Sequence, residues 1–206
     1  MSNRARLILS LFLALAGKAL AQDTAIQVQV YDYAGLTPAV LREFVTLTES
    51  ILTNAGLSIH VKPCERNVEA SCEIQTRGAR RLVIRVVAKT MRNVRGPLGL
   101  SFADHEGGTY ASVFLAPVRH EAAEQDFPWV TILAYAAAHE IGHLLLGNQA
   151  HTPWGLMKAK WDREDYKGMN QHRCIFNSEQ ILQLTQRYGA SLLADPSKDT
   201  ALTNLR

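Results

Sequence analysis

Residues 135–157 read Tyr-Ala-Ala-Ala-His-Glu-Ile-Gly-His-Leu-Leu-Leu-Gly-Asn-Gln-Ala-His-Thr-Pro-Trp-Gly-Leu-Met. From Phe127 to Gly147 the only formal charge is Glu140, and so long an apolar run predicts a helix surrounded by protein or by lipid. A charged Glu140 flanked by His139 and His143 is costly in lipid, so the helix is expected to run buried through the domain. Ala134, Ala138, Ile141 and Leu145 then face the core, and the histidines face a cleft. His139, Glu140 and His143 stand in the order H-E-x-x-H. Helix positions four apart lie about 40° apart around the axis and one turn along it, so both imidazoles reach a single metal ion. A carboxylate beside the first of them can take a proton from metal-bound water, the general-base role in zinc hydrolysis.

A catalytic zinc usually takes three protein ligands and keeps one position for water. His151 is the candidate third ligand, because it follows Gly147, where the helix can stop and the chain can turn back beneath the metal. Asp162, Glu164 or Asp165 replaces it if the site uses a downstream carboxylate. Tyr166, Trp161 and Arg163 read as structural residues or, alternatively, as hydrogen-bond donors to the site. His105, beside Asp104 and Glu106, reads as a solvated turn, with a second ion site as the alternative, and His60, His120 and His172 read as surface or structural residues.

Working toward the amino terminus, Arg81 to Ala88 predicts a strand, Leu100 to Phe102 a short one, and Thr109 to Val118 another. Ala25 to Tyr31 alternates apolar and polar residues, the pattern of a half-buried strand. Thr37-Pro38 opens a helix running to about Asn54, Gly56 suits its left-handed end, and Leu57 to Val61 is a further strand. Strand, helix and strand at this spacing predict a parallel crossover. Asp126 is the expected cap of the buried helix, with Pro128 in its first turn. A charged segment, Lys158 to Arg173, follows it, then a helix from Ser178 to Tyr188, and Pro63 to Ala79 reads as irregular.

The first 21 residues differ from the rest. Arg4 and Arg6 precede an apolar run from Leu7 to Ala16, and Ala19-Leu20-Ala21 has the small-x-small pattern of a cleavage site, so 1–21 reads as a secretory signal peptide. Arg4, Arg6 and Lys18 fall within it without any acid, so of 22 basic and 19 acidic residues the remainder is balanced. The whole-chain excess of +3 therefore points to no nucleic-acid partner, and no stable membrane insertion is expected once the leader is removed. Export permits disulfides: Cys64 and Cys72 are the expected pair, and Cys174 is left over or pairs with one of them.

The motif and its sequel resemble the metzincin clan of zinc peptidases, whose pattern is H-E-x-x-H-x-x-G-x-x-H followed by a tight turn containing methionine. Here Gly147 comes one place late and His151 two places late, Gln149 stands at the clan's third-ligand position, and Gly155-Leu156-Met157 is the candidate methionine turn. Some clan members carry a tyrosine two residues after the methionine; Ala159 stands there, so that role does not transfer. The resemblance covers most of residues 25–157, with specific motifs at 139–157. It implies a zincin-like α+β fold: a mixed twisted sheet with an edge strand over the cleft, a buried active-site helix and a C-terminal helix, all in one catalytic domain, 22–206. It also implies Zn²⁺ held by His139, His143 and His151, Glu140 as general base, and Met157 beneath the metal. An extended peptide or protein substrate would pair with the edge strand, placed by the resemblance at Thr109 to Val118. The expected activity is that of a secreted, periplasmic or extracellular metallopeptidase. The alternatives are a catalytically silent zinc-containing peptide-binding module of the same fold, favoured by the lack of a separate inhibitory segment between Ala21 and the first strand, and a hydrolase of non-peptide amides.

Overall fold

The structure is a computed structural model of the chain and describes residues 26–65, 72, 79–89 and 96–188. Residues 1–21, read as a signal peptide, lie outside them. Among the described residues, five strands form one mixed sheet: β1 (Ile26–Tyr33), β2 (Ile59–Cys64), β3 (Arg80–Val87), β4 (Gly99–Ala103) and β5 (Gly108–Phe114). The order is β2-β1-β3-β5-β4, with β4 alone antiparallel to its neighbour. Alternation along the strands sends one side chain in two into the core. Val28, Leu82, Ile84, Val86, Ala111 and Val113 are all fully buried there.

The expected parallel crossover is present. α1 (Pro38–Asn54) links β1 to β2, opens with Thr37 accepting the Val40 amide at 3.4 Å, and ends before Gly56 at φ 82°. It packs through Phe44, Val45, Ile51 and Leu52. The motif helix, α3 (Trp129–Leu146), lies buried against α1 and the sheet. Its length and apolar character would let it cross a membrane, but most of it is enclosed by protein, as the charge at Glu140 requires.

Three local readings need correction. The strand expected over Thr109 to Val118 stops at Phe114, and α2 (Leu115–Gln125) begins immediately. Leu115, Pro117 and Val118 continue the apolar run, yet they are buried residues of a helix whose first turn tolerates Pro117 because no intrahelical donor is needed there. The edge beside the motif helix is therefore β4, while β5 is interior, between β3 and β4. Asp126 ends α2 in a left-handed conformation, φ 51°, instead of capping α3, whose N-cap is Pro128. Within the charged segment, Asp162 and Asp165 form a reciprocal capping box that starts α4 (Arg163–Asn170). α5 (Ser178–Tyr188) runs as expected.

Cys64 and Cys72 form a disulfide, with Cα atoms 5.5 Å apart. Cys174 is free and buried, and burial pushes its thiol up to about 12, so it is neutral at physiological pH.

Candidate metal centre

α3 delivers His139 and His143 on one side, one turn apart, and the ring nitrogens of each have distinct tasks. His139 Nδ1 faces the Leu156 carbonyl at 2.8 Å, and His143 Nδ1 faces the Gly147 carbonyl at 3.1 Å. A carbonyl oxygen only accepts, so both Nδ1 atoms carry the proton and both Nε2 atoms present lone pairs. Those lone pairs converge. His143 Nε2 lies 3.2 Å from His139 Nε2 and 3.1 Å from His151 Nε2. The three ligand atoms all lie within 4.8 Å of one another.

With no proton between His139 and His143, that approach is repulsive unless a cation sits among the nitrogens. Tetrahedral zinc with Zn–N bonds of about 2.0–2.1 Å sets ligand nitrogens about 3.3 Å apart. Three imidazoles at this spacing fit zinc. Burial lowers His139 to about 4, with the Leu156 carbonyl opposing and the other two imidazoles adding to the fall, and burial likewise lowers His143. Neutral rings are the form that binds a metal.

His151 reaches this point although it is exposed, and the loop that carries it is fixed at both ends. Gly147 closes α3 at φ 102°, and a Cβ there would stand 2.6 Å from the His105 carbonyl oxygen, so only glycine permits the turn. Beyond it, Gln180 of α5 donates to the Ala150 carbonyl at 2.8 Å, and the Thr152 amide donates to the Met157 carbonyl at 3.0 Å. Arg187 and Tyr188 donate to the Leu145 carbonyl at 3.2 and 2.9 Å, satisfying the end of α3. The two-residue displacement of His151 is thus absorbed by a pinned loop, with Gln149 exposed to solvent.

Leu156 and Met157 are fully buried beneath the histidines. The Leu156 carbonyl orients His139, and the Met157 sulfur packs directly on Gly142 of α3. Trp161 sets its ring edge-on to His139, 5.7 Å between centroids. The carboxylates considered as alternative third ligands are engaged elsewhere. Asp162 and Asp165 each bind Lys158 at 2.6 Å, and Glu164 binds Lys167 at 2.6 Å.

Glu140 is 7% exposed. Burial raises its carboxyl to about 7, against hydrogen bonds from the Ser101 hydroxyl and amide that lower it. Ser101 belongs to the edge strand, so β4 holds this side chain in place. Gly99, on the same strand, makes room for it: a Cβ at Gly99 would lie 2.6 Å from Glu140 Cγ and Oε1. Neither residue was legible as part of the site, because their role depends on β4 lying beside α3.

A cleft of about 740 Å³ opens over these groups. β4 and the turn before it form one side, α3 the floor, and α2 contributes Pro117, His120, Glu121 and Glu124. His120, read as a surface or structural residue, is part-exposed and lines the cleft. His60 and His105 stand exposed beside Glu49 and Glu106. Asp104 accepts the amides of Glu106 and Gly107, so residues 104–107 form the solvated turn that was expected. Of the candidate donors, Tyr166 and Trp161 line the cleft, and Arg163 is exposed on α4.

No protein-family model matches the chain, and no curated protein matches it. Among solved structures, it is similar to archaemetzincin from Methanopyrus kandleri over 82% of this chain and 98% of that one, with 14% identity and a TM-score of 0.49. A zinc-dependent peptidase from Methanocorpusculum labreanum is similar over 76% and 99% of the two chains, with 11% identity and a TM-score of 0.49. The likeness is one of outline.

Proposed function

We propose that the chain is an exported zinc metallopeptidase, with His139, His143 and His151 as the metal ligands and Glu140 as general base. The observation that carries this reading is the convergence of the three Nε2 atoms, two of them unprotonated by virtue of their Nδ1 partners, beside a buried carboxylate. The 1–21 leader and the Cys64–Cys72 disulfide both suit an oxidising compartment outside the cytoplasm.

His139, His143 and His151 would hold zinc, which would supply Lewis acidity toward the scissile carbonyl and the attacking water. Glu140 accepts the water's proton on a carboxylate oxygen and passes it to the leaving amine. Its position near pH 7 on burial suits a group that must both take and give a proton, and a neighbouring cation favours the ionised form that begins the cycle. Ser101 keeps the carboxylate aimed while the edge of β4 offers unpaired backbone groups to an extended peptide. Leu100 and Phe102, 50% and 61% exposed on that strand, are available to substrate side chains. Met157, packed on Gly142 below the metal ligands, acts as the methionine turn of this site.

The test is a proteome-derived peptide library incubated with zinc-loaded and with chelated protein, read by mass spectrometry. New peptide termini are expected only with zinc. A zinc-loaded chain that leaves the whole library uncut would overturn the peptidase reading in favour of the silent binding module or the hydrolase of non-peptide amides.

Gly99→Ala gives a sharper local result. The added methyl must displace Glu140 without touching the histidines, so zinc content is expected to stay unchanged while kcat falls at least about tenfold, as misplaced catalytic groups do. Kinetics and metal analysis on the same preparation decide it, and an unchanged kcat would mean that Glu140 need not occupy its observed place.

A further inference from the structure

α2 presents Pro117, His120, Glu121 and Glu124 to the cleft, positions spaced to share one side of a helix. A helix face lining a cavity would ordinarily be apolar, yet this one carries two carboxylates. Glu121 Oε1 accepts the Tyr166 hydroxyl at 2.9 Å and the Gln125 amide at 3.1 Å, and both donors are neutral. Glu124 Oε1 lies 3.2 Å from His120 Nε2, which has no partner in hydrogen-bonding geometry. Among the described residues neither carboxylate has a lysine or arginine ion pair. Lys158, on the facing wall, is already held by Asp162 and Asp165 at 2.6 Å each, and Lys160 stands exposed on that side. A part-buried carboxylate served only by neutral donors is the electrostatic complement of a cation arriving in the cleft.

A second feature of the same cleft also points to a ligand. Trp161 lines it and is 9% exposed, and its indole N–H is buried with no acceptor among the described residues. Buried donors are almost always paired in the working form of a protein, so an acceptor brought by a bound chain would complete the Trp161 N–H.

We infer that the α2 wall is a subsite for a cationic group of the substrate, a lysine or arginine side chain or a free α-ammonium, received by Glu121 and Glu124 in the same cleft as the three histidines. The inference rests on the peptidase reading and names its substrate class. Glu124, the more exposed carboxylate, makes the first approach, and Glu121, fixed by Tyr166, sets the depth at which the cation stops.

The test uses the full zinc-loaded chain carrying Glu140→Gln, so that bound peptides stay intact, and fluorescence anisotropy as the readout. Four labelled alanine-based nonapeptides serve as probes: three N-acetylated with a central lysine, norleucine or glutamate, and one with central norleucine and a free amino terminus. The central-lysine or the free-amine peptide is expected to bind about tenfold tighter than acetylated norleucine, and the glutamate peptide weakest. Which of the two cations gains shows whether the side chain or the α-ammonium is the ligand. Adding Glu124→Gln, and separately Glu121→Gln, should erase that advantage while leaving the norleucine affinity in place. Glutamine keeps an acceptor for Tyr166, and the melting temperature of each variant reports whether the fold is intact. Equal binding of all four peptides would overturn the cationic subsite and leave the peptidase reading standing. Binding of none would overturn both, and an advantage that survives both substitutions would place the cation elsewhere.

Discussion

Glu140→Ala is expected to keep its zinc and to slow peptide hydrolysis by about 10²–10⁴-fold, the usual worth of a positioned general base. The separation of the two effects follows from the geometry. Glu140 contributes no atom to the converging imidazoles, whose orientation comes from the Leu156 and Gly147 carbonyls. Removing the carboxylate also removes a buried acid whose charged form is disfavoured by burial, so the fold should not suffer. Kinetics on a peptide found in the library, with zinc measured on the same sample, provide the check. A variant that cleaves as fast as the wild type would eliminate Glu140 as the base.

His151→Ala carries the second large effect, and it falls on the metal. The side chain is exposed, so its loss leaves no cavity in the core, and the metal-free melting temperature should be unchanged. Disturbing an outer partner of a ligand weakens metal binding by about 10–100-fold, and deleting a ligand should reach at least the upper end of that range. At a free zinc concentration 1,000 times the wild-type Kd, binding stabilises the native chain by about 4 kcal/mol, which for a domain of this size raises Tm by roughly 8–16 °C. A hundredfold weaker variant retains about 1.4 kcal/mol and roughly a third of that rise. Differential scanning calorimetry with and without zinc reads the difference directly. If His151→Ala shows the full wild-type rise, the third ligand is another residue.

Elements with strong period were legible before any coordinates. The alternation of β1, the broad apolar face of α1, the apolar run of β3 and the near-continuous apolar run of α3 are local properties, and each element fell within two residues of its expected span. The parallel crossover followed from their spacing. α2 escaped because Leu115 to Val118 is apolar in either conformation, and the helix is decided by where those residues pack. Strand order escaped for the same kind of reason: nothing within Thr109 to Phe114 says that β4 folds back outside it as the edge. α4 had a readable signal in Asp162 and Asp165, whose spacing is that of a capping box.

At the site, the sequence carried the residue types and left the support to tertiary structure. His139 and His143 were coupled by helix geometry alone. His151 could be named as a candidate, but its arrival depends on Gln180, on the Thr152–Met157 pairing and on the turn at Gly147 against His105. Ser101 and Gly99 act on Glu140 only because β4 lies beside α3. The acidic wall of α2 went unread because Glu121 and Glu124 lie between the strand expected to end at Val118 and the cap expected at Asp126.

X-ray absorption at the zinc edge of the wild-type protein tests the metal centre most directly, because it identifies the ligands without requiring a substrate. The geometry of His139, His143 and His151 predicts three imidazole nitrogens at about 2.0–2.1 Å and one further light atom from solvent. A shell containing sulfur, or only two imidazoles, would contradict it.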